Sequence, residues 1–194
     1  MQSQIRDLVI HVYGHESAVP DLVAQAFSGS FREEISPEAD LAIFSIDPSA
    51  GVDQKTIEQW RELDEYQIPR LVVVVGLEKQ EADFDDAVMI ANRVFDQMAT
   101  PFLVLHDDAG LPIALIDLED LTILNYSQTP PLRTNSEEEH QTLVQEFREE
   151  YLELFSSLGK DSFNAGLLFP AIPLWIEKGI GVDIVRKYIS EIRL

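Results

Sequence analysis

The chain has 194 residues, 45% hydrophobic and 9% aromatic, which is enough apolar material to bury a core and too much for a disordered chain. It carries 35 acidic and 14 basic residues, a formal net charge of -21 that disfavours direct binding to nucleic acid or membrane. With no cysteine, disulfides, thiolate metal sites and cysteine nucleophiles are excluded.

The N-terminal stretch MQSQIRDLVIHVYG has no signal-peptide cleavage site, and no apolar run approaches the roughly 18 residues a membrane helix needs, so the expected address is the cytoplasm. Residues 8–13 form a β-branched run that stops at Gly14. Residues 20–27 follow a helical period with Pro20 in the first turn. A second strand over 41–46 ends at Asp47, and a helix starting at Asp53 presents Ile57, Trp60 and Leu63. Residues 71–75 are almost all valine, as in a central parallel strand buried on both faces. A third helix from Asp83 puts Phe84, Val88, Ala91 and Phe95 on one face. A fourth strand over 102–105 ends at His106-Asp107-Asp108. This alternation predicts βαβ units and a mostly parallel sheet with right-handed crossovers. His11, Trp60 and Trp175 read as core residues.

Beyond Gly110 the pattern changes. Residues 112–116 and 121–124 predict a small antiparallel addition. Ser136 and Glu139 have capping-box spacing. The helix that follows carries Leu143, Phe147, Tyr151, Leu154 and Leu158 on one stripe, with Glu146, Glu149, Glu150 and Glu153 among the carboxylates around the rest. Those glutamates are either a solvated face or a docking surface for a basic protein. A fifth core strand over 172–176 and a closing helix over 182–192 complete the chain.

Residues 39–127 resemble the GTP-binding domain of elongation factor G and its tetracycline-resistance relatives. The resemblance rests on Asp47, Gly51, Val52, Gln54, Thr56, Trp60, Arg61, Tyr66, Pro69 and Arg70 in order and spacing. The segments ADFDDAV (82–88) and VLHDDAGLPIALIDLEDLTILNY (104–126) continue it. It implies an α/β fold of three layers, a P-loop-GTPase-like, mostly parallel sheet trimmed of the first-switch and D-x-x-G strands. It also implies a division into a trimmed core (1–127), a helical insert (128–170) and the last core strand and helix (171–194).

The departures from the family are specific. A phosphate-cradling G-x-x-x-x-G-K-[ST] loop uses free backbone N–H groups, a lysine and a hydroxyl. Here Gly14 and His15 open the loop, but Val19, Pro20 and Asp21 stand at the Gly, Lys and Thr positions. Only residues 28–38 separate the first helix from the next strand, too few for the first switch and D-x-x-G. The guanine-reading N-K-x-D falls on Val75, Gly76, Leu77 and Glu78, with Glu78-Lys79 read as a solvated loop pair. Phosphoryl transfer relies on cationic groups worth roughly 10³-fold or more each. The expectation is a non-catalytic pseudo-GTPase with no cofactor, GTP and magnesium included, and a protein partner, implied by the resemblance to belong to the translation apparatus.

A rebuilt site stays open as the alternative, either for a nucleotide or for metal-dependent hydrolysis. Asp47, His106, Asp107 and Asp108 would all lie beyond the carboxyl ends of the strands, where open sheets bind ligands. Against this, Asp107-Asp108-Ala109-Gly110 has turn chemistry of its own. Finally, losing two strands would leave the first strand an exposed edge, to be covered by the chain's own tail, a second copy or a partner.

Overall fold

The computed structural model describes residues 6–81 and 83–193. Met1–Ile5 of the N-terminal reading, Ala82 of the ADFDDAV match and Leu194 lie outside the described residues. Strand β1 (Ile10–Tyr13) leads into helix α1 (Pro20–Ala26), then β2 (Ser30–Phe31), β3 (Leu41–Ile46), α2 (Gln54–Glu62) and β4 (Arg70–Val74). Helix α3 (Phe84–Val94), β5 (Met98–Ala99), β6 (Phe102–His106), β7 (Pro112–Asp117), β8 (Thr122–Asn125) and β9 (Leu132–Asn135) follow. The chain closes with α4 (Glu138–Leu158), β10 (Phe169–Pro173) and α5 (Val182–Glu191).

Six strands form one sheet in the order β2-β1-β3-β4-β10-β5, and every pairing in it is parallel. Every residue of β3, β4 and β10 is buried, so both faces of the sheet are covered and the architecture is the expected three-layer α/β fold. At the base of β4, Arg70 is 2% exposed. Its guanidinium lies 4.5 Å from the ring centres of both Trp60 and Phe169 and donates to the Trp60 carbonyl (2.9 Å) and to Asp64 (2.6 Å). Trp60 also stacks on Phe95 at 4.5 Å, which ties α2, β4, β10 and the end of α3 into one core. The family-like Trp60 and Arg70 are therefore packing residues.

Several expectations change. The segment over 102–105 leaves the parallel sheet: β5 takes that place, and after Pro101 the chain turns into a second, antiparallel sheet, β6-β7-β8-β9. The Pro101 carbonyl accepts from Leu118 N–H (2.9 Å), so this proline already faces the second sheet. The β8–β9 hairpin crosses the expected boundary at 127/128, and the boundary at 170/171 falls inside β10. β1 is not a bare edge. The connector after α1 supplies β2, which pairs His11 with Ser30 and Val12 with Phe31, and Arg32 N–H donates to the Val12 carbonyl (2.9 Å).

Helix α4 shows two more differences. Ser136 is not its cap; Ser136 N–H is bound to the Leu121 carbonyl (3.2 Å), and α4 begins only at Glu138, with no side-chain cap at Glu137. The helix is also rotated from the expected stripe. Arg148 donates to the carbonyls of Leu118 (2.9 Å) and Glu119 (3.1 Å), which pins the face of Val144, Arg148, Tyr151 and Phe155 to the β7–β8 turn. Leu143 is left 70% exposed and Phe147 45%. Trp175 is half-buried, with the Lys178 ammonium 5.8 Å from its ring centre, rather than a core residue.

Candidate functional site

Ligands of open parallel sheets sit beyond the carboxyl ends of the strands. Here those ends are closed by the chain's own hydrogen bonds. Gly14 follows β1 with φ +150°, and a Cβ there would meet the Ser45 carbonyl oxygen at 2.5 Å, so the turn lies tight against β3. The loop then winds into a 3-10 turn, Glu16–Ala18. Ser17 N–H donates to His15 Nδ1 (3.2 Å), Ala18 N–H to the His15 carbonyl (2.9 Å) and Val19 N–H to the Glu16 carbonyl (3.0 Å). Val19 is left-handed (φ 43°), and Pro20, with no N–H, opens α1. Ser45 Oγ donates to the Ala18 carbonyl (2.6 Å) and fastens the loop from below. Three successive N–H groups of the loop, those of Ser17, Ala18 and Val19, are thus engaged within it, and the next residue has none.

A hollow of about 330 Å³ beside this loop is lined by Glu16, Asp21, Glu33 and Asp53, against Arg32 and Lys55. Lys55 pairs with Glu33 at 3.5 Å. The balance at this wall is negative, which is unfavourable for a polyphosphate.

Asp47, at the end of β3, is 1% exposed. Its Oδ1 accepts from the Ser49 N–H (2.9 Å) and hydroxyl (2.7 Å), and its Oδ2 pairs with the Lys79 ammonium. Lys79 is thus a partner of Asp47, not half of a solvated pair with Glu78. Burial alone would raise the Asp47 pKa, but the hydrogen bonds from Lys79 and Ser49 outweigh it and hold the carboxyl below its ordinary value. The same contact raises the Lys79 pKa. Gly76 (φ +75°) runs directly beneath: a Cβ there would stand 2.8 Å from Asp47 Oδ2. Val75 N–H is spent on the Ile46 carbonyl (2.9 Å), and Glu78 is exposed. Where a base reader would stand, the structure has an ion pair between the buried Asp47 and a Lys79 that is 42% exposed.

The other candidates separate. His106, Asp107 and Asp108 lie on the β6–β7 turn of the second sheet and are exposed. Asp107 Oδ1 accepts from Ala109 N–H and Leu111 N–H (both 2.9 Å), and Gly110 has φ +80°, so this carboxylate shapes its own turn. His106 faces a hollow of about 440 Å³ shared with Lys79, Gln80 and Asp86. Asp47 is not assembled with these three, and among the described residues no group of three or more His, Asp or Glu is placed to hold a metal ion. His11 is buried in β1 beside Tyr13; burial, with Arg32 nearby, lowers its pKa. Glu146, Glu149, Glu150 and Glu153 are all exposed on α4. Sequence reasoning missed Ser45, Ser49 and Lys79. Their only signal was position, one strand-end away from Gly14, Asp47 and Gly76.

With a native pKa below the ordinary 3.8, Asp47 contributes stability that is fully present above that value and lost as pH falls through the lowered native pKa. Asp47→Asn is expected to cost about 1–3 kcal/mol at neutral pH, the range for hydrogen bonds to charged groups with Lys79 partly exposed. In urea unfolding the gap between variant and parent should close at acid pH; equal stability at neutral pH would contradict this role.

No protein-family model matches the sequence. Over 79 residues the chain is 30% identical to a mitochondrial ribosome-releasing factor 2 from Anopheles gambiae, a match that takes in 41% of this chain and 11% of that protein. Its fold matches a crystal structure from Thermus thermophilus with a TM-score of 0.71 and 23% identity, over 81% of this chain and 27% of the other. The chain thus spans about a tenth of the curated relative and about a quarter of the solved structure. Among the described residues no helix is long and apolar enough to cross a membrane. Together the two matches support a fold related to that of the translational GTPases.

Proposed function

We propose that this chain is a non-catalytic docking domain, a pseudo-GTPase that binds no guanine nucleotide and works in the cytoplasm on a basic protein of the translation apparatus. The observation that carries the reading is the hydrogen-bond state of the loop after β1. Ser17, Ala18 and Val19 donate within the loop and Pro20 cannot donate at all. Binding a phosphate there would first break those bonds, beside Glu16 and Asp21, with no lysine in the loop to compensate. The likeness to a ribosome-releasing factor supports the choice of partner.

The docking face in this reading is α4. Leu143 and Phe147 are exposed on it, Met89 of α3 is 60% exposed, and Glu146, Glu149, Glu150 and Glu153 are exposed along one side of Leu143 and Phe147 on the same helix. An apolar centre with a charged rim is the usual anatomy of a protein interface. An acidic rim selects a basic partner and disfavours RNA itself.

Two measurements test the two halves of this reading. Calorimetric titration with GTP, GDP and ATP, with and without magnesium, should stay flat at millimolar nucleotide; saturable micromolar binding would sink the pseudo-GTPase half. Co-sedimentation with ribosomes should fall with added salt and be abolished when the four glutamates are changed to lysine. Undiminished sedimentation of that variant would remove α4 as the docking face.

A further inference from the structure

The second sheet ends on an open strand. β9 pairs with β8 on one side, stands last in the strand order and is exposed at every residue. The ladder fixes which of its main-chain groups are free. In an antiparallel pair, alternate residues bond to the neighbouring strand and the residues between them point away from it. Ser136 N–H donates to the Leu121 carbonyl (3.2 Å), and Thr134 stands opposite Ile123 and Leu132 opposite Asn125. Leu132, Thr134 and Ser136 therefore face β8, and Arg133 and Asn135 turn their N–H and C=O groups outward. The backbone stays extended at Glu137 (φ -78°, ψ 160°), whose N–H bonds to no other backbone group among the described residues.

The side chains along this edge are self-complementary. Arg133, Asn135 and Glu137 alternate with the residues that face β8, so they share one face of the extended segment. Arg133 and Glu137 are both exposed, and neither forms a salt bridge among the described residues. A strand added to this edge has to set its own outward-bonding residues opposite Arg133 and Asn135. Two copies of this chain, antiparallel about a two-fold axis, meet that condition with Arg133 opposite Arg133, with Arg133 opposite Asn135, or with Asn135 opposite Asn135. The first register opposes like charges, which is unfavourable, and the second opposes a charge to a neutral amide. The third sets each Arg133 directly opposite the partner's Glu137. Charge selects the third.

We infer that β9 is a self-association edge, to which a second copy of this chain adds antiparallel about a two-fold axis at Asn135, joining the two antiparallel sheets into one. Free strand edges recruit strands, and this one carries the charge pattern of its own partner. The two Asn135 residues exchange main-chain bonds, each Glu137 N–H donates to the partner's Arg133 carbonyl, and an Arg133–Glu137 pair closes either end. Pro131, with no N–H to offer, ends the pairing. One short strand from each copy buries far less than the roughly 1,200 Å² of stable interfaces, so the dimer is reversible and fills at high protein concentration. The rest of the charge, -21 on each copy, is screened beyond about 8 Å at physiological salt, whereas the facing pairs are in contact. None of the α4 docking residues takes part, so this edge acts whether or not that docking role holds.

Sedimentation equilibrium of the full chain at physiological salt, up to roughly 1 mM protein, tests this. The average mass should climb from monomer towards dimer as concentration rises. Amide exchange at Arg133 and Asn135 should slow in step, while Thr134, already bonded to β8, stays unchanged. Arg133→Glu and Glu137→Arg, both at exposed positions, should each weaken association about tenfold, because each variant then meets its own copy with like charges. Mixed together, the two variants should associate at least as tightly as the parent, since every facing pair in the mixed dimer is again opposite in sign. A parent chain that stays monomeric at roughly 1 mM would overturn the assignment. So would a mixture that associates no more tightly than either variant alone.

Discussion

Asp47 stands at the end of the central strand β3 with its carboxylate removed from water, and a buried carboxylate must be neutralised and hydrogen-bonded. Lys79 and Ser49 do both. The arrangement fixes its neighbours: Gly76 has to pass within van der Waals contact of the pair, and so has to be glycine. The same accounting governs the loop after β1, where Gly14 presses on Ser45 and the Ser45 hydroxyl caps the Ala18 carbonyl. The two strand exits that hold a nucleotide in an open α/β fold are thus joined to each other by internal bonds through β3.

This arrangement costs little elsewhere. Three central strands are buried throughout, and Arg70 is held between two aromatic rings with its charge met by Asp64 and a carbonyl. The core therefore stands on packing that does not involve the strand ends, and the surface is free to carry its excess of acid. That excess is uneven in its consequences: beside the first loop it opposes phosphate, whereas on α4 it flanks exposed apolar side chains.

Much of the parallel sheet was legible because its signals are local. The valine run of β4, the Gly14 stop and the Asp83 cap of α3 each state their own structure, and the Asp83–Asp86 capping box is present as two hydrogen bonds. What failed to show was long-range. Nothing in the 102–105 run says that its partner is an antiparallel hairpin, and the two-residue β2 is too short to leave a periodic trace. The face of α4 was misplaced because Arg148, a surface residue by composition, finds two backbone carbonyls on the β7–β8 turn. At the site, residue identities suggested which groups were missing. They could not suggest that Lys79 folds back onto Asp47 or that His15 accepts from Ser17, since those contacts depend on the turns being closed.

The loop after β1 commits its Ser17, Ala18 and Val19 N–H groups to internal bonds, and Pro20 has none to offer a phosphate. Amide hydrogen exchange at Ser17, Ala18 and Val19 reads those donors directly, with and without GTP and magnesium. The account predicts slowed exchange in the free protein and no change on adding nucleotide. Rapid exchange at all three, slowed when GTP is present, would contradict it.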